Sequence, residues 1–198
     1  MDSKTFLRLK EKAEKALEDA LKEDKVDEDI KDLLSFINAC EDLFTTSSCS
    51  GRVVIIEVPF PGAKPGARFL GKWHGKVDKE KVLRALRSSR EGFLFFMVHP
   101  PIIHVVARDP EIAEKMVKAG LSSGFKNSGM RAFKGKILVE LRSTERLDVP
   151  IGKDGELMVS EDYLELLCEI ANLMIEKGKR KINILRKNME GFYRNACK

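Results

Sequence analysis

Two runs of β-forming residues, Phe93 to Val98 and Ile102 to Ala107, are separated only by His99-Pro100-Pro101. A parallel crossover between neighbouring strands needs a dozen or more residues, so this link excludes a βαβ unit at that point. A second short link, Lys153-Asp154-Gly155, lies between the strand-like segments Leu147 to Ile151 and Leu157 to Val159, and its Asp-Gly suits a tight hairpin turn. Between such pairs run helical patterns. Residues 3–23 carry Phe6, Leu7, Leu9, Ala13, Ala16, Leu17 and Ala20 at helical spacing. Asp27 is an expected N-cap for a second helix with Ile30, Leu33, Leu34, Ile37 and Cys40 on one face, ending near Leu43 or Phe44. Asp109-Pro110 starts another helix, with proline where its missing N–H costs nothing. Ser160 caps a long C-terminal one that Gly178 is expected to end or bend.

These patterns predict an α+β protein, a single domain over 1–198 with a mixed, mostly antiparallel sheet, an N-terminal α-hairpin (3–44), an α+β core (45–159) and a C-terminal helical region (160–195). A strand-helix-strand pattern recurs from Val53 to Val98 and from Ile102 to Leu141, in pattern though not in residue identity. With 43% hydrophobic and 34% charged residues, the 198-residue chain has globular composition. Its longest apolar runs fall far short of the roughly 20 residues of a membrane span. The 36 Lys and Arg against 31 Asp and Glu leave a charge of +5, a weak pointer to a polyanionic partner. Four scattered cysteines without a C-x-x-C pair read as thiols in a reducing compartment, and no metal site is expected.

There is no G-x-G-x-x-G, P-loop, G-x-S-x-G or H-E-x-x-H. Four polar clusters in expected loops remain. Ser47-Ser48-Cys49-Ser50-Gly51-Arg52 offers small residues for close backbone approach and a guanidinium for a carboxylate or phosphate. Lys72-Trp73-His74 holds the only tryptophan, which suits either base or sulfonium stacking or core anchoring. His104 lies between apolar neighbours in the run that ends at Arg108, a setting that fits a core histidine as well as a catalyst. Gly120 to Gly129 suits a ligand-cradling loop or a plain helix exit.

Taken in order, these stretches resemble the tRNA wybutosine-synthesising protein 3 family over about residues 5–190: the Ser47 to Arg52 segment, Trp73-His74, Pro101-Ile102-Ile103-His104-Val105 with Arg108, Ala119-Gly120, and Gly124 to Gly129. The short Lys72-Trp73-His74 form resembles the archaeal branch. The resemblance implies a cytoplasmic methyltransferase that uses S-adenosylmethionine, and a fold that is not of the Rossmann type. It implies methylation of N(4) of a 4-demethylwyosine-type guanosine in tRNA-Phe, at the position directly 3′ of the anticodon. The expected partner is the anticodon stem-loop, with no metal, membrane or obligate protein partner. Ser48, Ser50, Arg52, Trp73, Gly124, Ser128 and Gly129 are the expected cofactor-binding residues. His104 or His74, or water alone, takes the acceptor's proton. Lys72, Arg108, Lys126 and Arg131 are expected on RNA, with Lys76, Lys79, Arg84, Arg87 and the Lys177 to Lys181 run as a wider basic set. A non-catalytic tRNA-binding protein presenting substrate to another enzyme is the competing reading.

Overall fold

The computed structural model describes residues 2–132 and 135–196. Helix α1 spans Ser3–Lys22, with the Asp2 carboxylate accepting the Thr5 amide at 2.9 Å as its N-cap. A single 3-10 turn at Glu28–Ile30 runs into α2, Lys31–Asn38. The expected second helix is therefore shorter than its periodicity suggests, because Leu43 already opens strand β1, Leu43–Cys49. Lys10 ends the helix: its ammonium donates to the carbonyls of Asn38 at 2.8 Å and Leu43 at 2.9 Å, and also to that of Cys40. A cation there satisfies terminal carbonyls and complements the negative end of α2.

The chain continues through β2 (Arg52–Val58), β3 (Arg68–Trp73), α3 (Lys79–Leu86), β4 (Phe93–His99), β5 (Ile102–Ala107) and α4 (Pro110–Ser122). It closes with β6 (Gly129–Ala132), β7 (Ile137–Arg142), β8 (Leu147–Lys153), β9 (Glu156–Leu157) and α5 (Glu161–Ala196). The α+β class is as expected, and every strand pairing among the described residues is antiparallel. The strands form two sheets rather than one, in the orders β1-β5-β7-β6 and β3-β2-β4-β8-β9. His99-Pro100-Pro101 is accordingly a passage between sheets: β4 pairs with β2 and β8, and β5 with β1 and β7. The Lys153-Asp154-Gly155 turn does join β8 to β9, with Asp154 and Gly155 at φ of 51° and 83° as a tight hairpin requires.

The chain resolves into two compact units, the first comprising Met1–Ser50, Pro101–Thr144 and Lys179–Lys198, the second Gly51–Pro100 and Glu145–Gly178. Helix α5 runs unbroken past Gly178 and serves both cores. Leu164, Leu167, Cys168, Ala171 and Ile175 pack with Val53, Ile55, Leu94, Phe96 and Val98 in the second unit. Ile182, Leu185 and Met189 pack with Ile103, Val105, Val139, Leu141, Met116 and Phe125 in the first. On the other face of the first unit's sheet, Phe6 of α1 covers Phe44 and Val106. Cys168 is a thiol as expected, and burial pushes its pKa up to about 11, while Cys49 is half-buried in β1. Cys40 is disulfide-bonded, which corrects the all-thiol reading, since spacing along the chain does not reveal pairing between remote cysteines. Cys197 lies outside the described residues. No described helix is long and apolar enough to cross a membrane.

The segment after α4, expected to cradle a ligand, is built as a helix terminator. The Phe125 amide donates to the Gly120 carbonyl at 3.0 Å and that of Gly124 to Leu121 at 3.2 Å, the paired bonds of a Schellman cap. Gly124 sits at φ of 91°, and an added Cβ would lie 3.0 Å from Lys181 Cε. Gly124→Ala is expected to cost about 1–2 kcal/mol in urea unfolding, the penalty of a left-handed non-glycine residue. Affinity for S-adenosylhomocysteine, the product of the cofactor that the resemblance implies, should be unchanged in a parallel titration. Loss of that affinity with stability retained would assign the loop to the ligand instead.

Candidate functional site

Hydroxyl-rich composition made Thr45 to Ser50 look like a loop, yet most of it is edge strand β1. Thr45 and Ser50 are satisfied from outside the sheet. Asn38 receives the Thr45 amide at 2.8 Å and donates to the Thr45 hydroxyl at 2.7 Å, while the Asp27 carboxylate accepts the Ser50 amide at 2.7 Å. Asp27, placed at the N-cap position, makes no side-chain bond to the turn it precedes.

The pairing of β1 with β5 contains a bulge. Thr45 lies opposite Val105 and Ser48 opposite Ile103, so three steps on β1 match two on β5. Regular alternation would put Ser47 opposite Ile103, on the core face. The extra residue turns Ser47 to the face that carries His104. There Ser47 Oγ lies 2.7 Å from His104 Nδ1, His104 Nε2 lies 3.1 Å from Glu140 Oε2, and Arg131 Nη2 and Nε lie 2.6 and 3.1 Å from Glu140 Oε1. One polar row thus crosses all four strands, β1 to β5 to β7 to β6. His104 and Glu140 are direct cross-strand partners. Helix α1 covers Val106 on this face, whereas His104 and Glu140 keep 23% and 15% of their side-chain surface open. Burial raises the Glu140 pKa, but hydrogen bonds from His104 and Arg131 and the Arg131 charge outweigh it, so the carboxyl stays below its ordinary range.

Beside the row is a cavity of about 550 Å³, within the range of small-ligand sites. Its walls include Leu9, Ala13, Ala16 and Leu17 of α1, the strand residues Thr45 to Ser48, and the lysines Lys12 and Lys136. The Ser48 hydroxyl is buried without a hydrogen-bond partner.

The remaining expected residues fall out as follows. Ser50 is buried and tied to Asp27 through its amide. The Ser128 hydroxyl staples its loop, donating to the Phe125 carbonyl at 2.5 Å and accepting the Arg142 amide at 3.1 Å. An added Cβ at Gly129 meets nothing, so packing does not demand glycine there. Arg108 pairs with Asp42 at 3.0 Å and stacks 5.3 Å above the Phe6 ring, and Lys126 donates to the Leu121 carbonyl at 2.8 Å. Arg131 holds Glu140 while half of its side chain stays exposed.

In the second unit, Arg52 opens β2 opposite His99, with its guanidinium 6.0 Å from the Phe69 ring and its Nε buried without a partner. Lys72 is exposed on β3. His74 Nδ1 lies 3.2 Å from the Gly51 carbonyl and donates to it. Trp73 is strand rather than loop. It pairs with Val53 on the core face and lies over Gly71, where any Cβ would come within 2.1 Å of its ring. That placement gives the tryptophan a packing role. Of the wider basic set, Lys76, Lys79, Lys177 and Lys179 are drawn into ion pairs with Glu176, Glu161, Glu145 and Asp29. Sequence reading missed Glu140 and did not single out Ser47. The available signal was Glu140's polar position among Ile137, Val139 and Leu141.

The comparisons place the chain that carries this row among methyltransferases. The profile of the family described as Methyltransferase TYW3 matches residues 4–191, and the chain belongs to that family. A relative from Pyrococcus abyssi is 46% identical over 95% of this chain and 97% of its own length. One from Thermococcus kodakarensis is 45% identical over 95% and 96%. Both are named tRNA(Phe) 7-((3-amino-3-carboxypropyl)-4-demethylwyosine(37)-N(4))-methyltransferase 1. The solved structure of PH1069 from Pyrococcus horikoshii superposes with a TM-score of 0.91 at 44% identity, covering 95% of each chain. A hypothetical protein from Aeropyrum pernix gives 0.72 at 28% identity, over 83% of this chain and 98% of the other.

Proposed function

We propose that this protein methylates N(4) of 7-(3-amino-3-carboxypropyl)-4-demethylwyosine at position 37 of tRNA(Phe) in the cytoplasm, with S-adenosylmethionine as donor. The observation that carries the reading is the Ser47–His104–Glu140 row, in a chain matched nearly end to end by enzymes of that name. The residues present fit the donor. The cavity beside Ser47 has apolar walls for an adenosyl group, lysines at Lys12 and Lys136 for a carboxylate, and an unsatisfied Ser48 hydroxyl. When bound, S-adenosylmethionine supplies an electrophilic methyl on a sulfonium. The protein's own part is to orient the flat acceptor and accept its proton at His104 or His74. Arg52 and Lys72 contact phosphates of the anticodon stem-loop, with Arg131, Lys126 and Arg108 secondary because all three already hold internal partners.

The test is incubation with isotopically labelled S-adenosylmethionine and tRNA(Phe) carrying the demethyl nucleoside, followed by nucleoside mass analysis. One labelled methyl on the tricyclic base is the expected product. Tight tRNA binding with no methyl gained and no saturable donor binding would favour a non-catalytic tRNA-presenting protein.

A further inference from the structure

We propose that the Ser47 hydroxyl is the group that meets the acceptor's N–H and relays its proton to His104, and that Glu140, clamped by Arg131, is the positioning residue of that relay. The inference rests on the methyltransferase reading and assigns the proton path within it.

With His104 neutral, the hydrogen-bond chemistry leaves one arrangement. An ionised carboxylate only accepts, so the 3.1 Å contact with Glu140 requires the proton of neutral His104 to sit on Nε2. Nδ1 is then a lone-pair acceptor, and the Ser47 hydroxyl 2.7 Å away must donate to it. Both ring nitrogens are thereby engaged, and neither is free for a substrate. Ser47 is the exposed member at the β1 end of the row, and its oxygen retains lone pairs for an incoming N–H. The bulge between Thr45 and Ser48 puts it there. Arg131 occupies the second Glu140 oxygen, which stops the carboxylate from rotating away.

The step balances. The N(4) proton passes to Ser47 Oγ as the Ser47 proton passes to His104 Nδ1. The nitrogen's electron pair forms the bond to the methyl carbon, and the carbon–sulfur pair remains on sulfur as a neutral thioether. The positive charge lost by the sulfonium appears as imidazolium beside Glu140. Charged groups around the row are Glu140 on β7, which favours imidazolium, and Arg131 on β6, which opposes it, as do Lys12 of α1, Lys25 and Lys136 at the adjoining cavity.

The test is single-turnover methyl transfer to the demethyl tRNA between about pH 5 and 9, the range that spans histidine ionisation. Wild-type rates should rise with pH through one ionisation and level off. Ser47→Ala should lower the plateau by roughly 10²–10⁴-fold, the usual worth of general-base catalysis. Ser47→Thr, which keeps the hydroxyl, should restore most of it. Glu140→Gln should move the midpoint to lower pH, because the carboxylate that favours imidazolium is gone, a readout that a merely structural role would not shift. Affinity for S-adenosylhomocysteine should fall far less in Ser47→Ala than the rate does, because Ser47 is only one of the cavity's walls. An unchanged rate in folded Ser47→Ala, or an unmoved midpoint in Glu140→Gln, would overturn the relay while wild-type turnover upheld the enzyme. Absence of wild-type turnover would overturn both.

Discussion

Trp73→Ala should destabilise the second unit by about 3 kcal/mol, the lower end of the range for large aromatic truncations because the ring is only half buried. Trp73 lies opposite Val53 on β2 and packs against the cluster that contains Ile55, Phe96 and Leu167. Gly71 supplies the second half of the argument, since its missing Cβ is what lets the indole lie flat, with the nearest ring carbon 2.1 Å from where that Cβ would be. Gly71→Ala must therefore displace the ring in the wild type but should be nearly harmless beside Trp73→Ala. Urea unfolding of both single variants and the double variant, followed by circular dichroism, measures that coupling as a departure from additivity. Additive effects, or wild-type stability in Trp73→Ala with loss of donor or tRNA affinity, would return the indole to a ligand-stacking role.

The contrast between Trp73 and His104 shows which part of the site was legible in the sequence. Ile103 and Val105 flanking His104 are β-forming and alternate, so the strand and the face of the histidine could be read locally. What makes that histidine chemically interesting is not local. Glu140 reaches it through a strand pairing across 36 residues and Ser47 across 57. A single sequence carries no register for either. The bulge in β1 was invisible for a related reason: serine and threonine without apolar alternation resemble a turn, and only the outside partners Asn38 and Asp27 make the strand tenable. The split into two sheets was hidden at His99-Pro100-Pro101, because shortness excludes a parallel crossover without saying whether the flanking strands pair at all. Gly124 reads in the sequence as part of a ligand cradle or of a helix exit. Its left-handed backbone serves a helix cap, and composition alone does not separate a cap from a phosphate cradle.

Glu57→Gln should be the most damaging single polar change in the second unit, at about 2–4 kcal/mol near neutral pH. Glu57 is 3% exposed on β2, the same strand whose Val53 and Ile55 fill the core. Its carboxylate accepts the Arg90 amide at 2.7 Å and the Ser89 hydroxyl at 2.8 Å through one oxygen, and meets Arg68 at 3.0 Å through the other. Three donors converge on two oxygens, so an amide of the same shape must point an NH2 group at one of them. A buried donor left without an acceptor costs about 1–3 kcal/mol, and more where a charge has lost its partner. Burial raises the Glu57 pKa, but the Arg90 amide, the Ser89 hydroxyl and the charges of Arg68 and Arg90 more than reverse this, so the folded value lies below the ordinary 4.5. A depressed folded pKa means the unfolded chain takes up the proton first. The stabilisation is therefore complete above about pH 5 and is lost as pH falls below 4.5 through the folded value. Glu140 acts in the same direction in the first unit. Urea unfolding at neutral and mildly acidic pH, followed by fluorescence of the only tryptophan, reads the second unit directly. Wild-type stability should drop steeply on acidification, and Glu57→Gln should start lower and fall less. A variant whose acid dependence parallels the wild type would show that the carboxylate is not what makes this unit acid-sensitive.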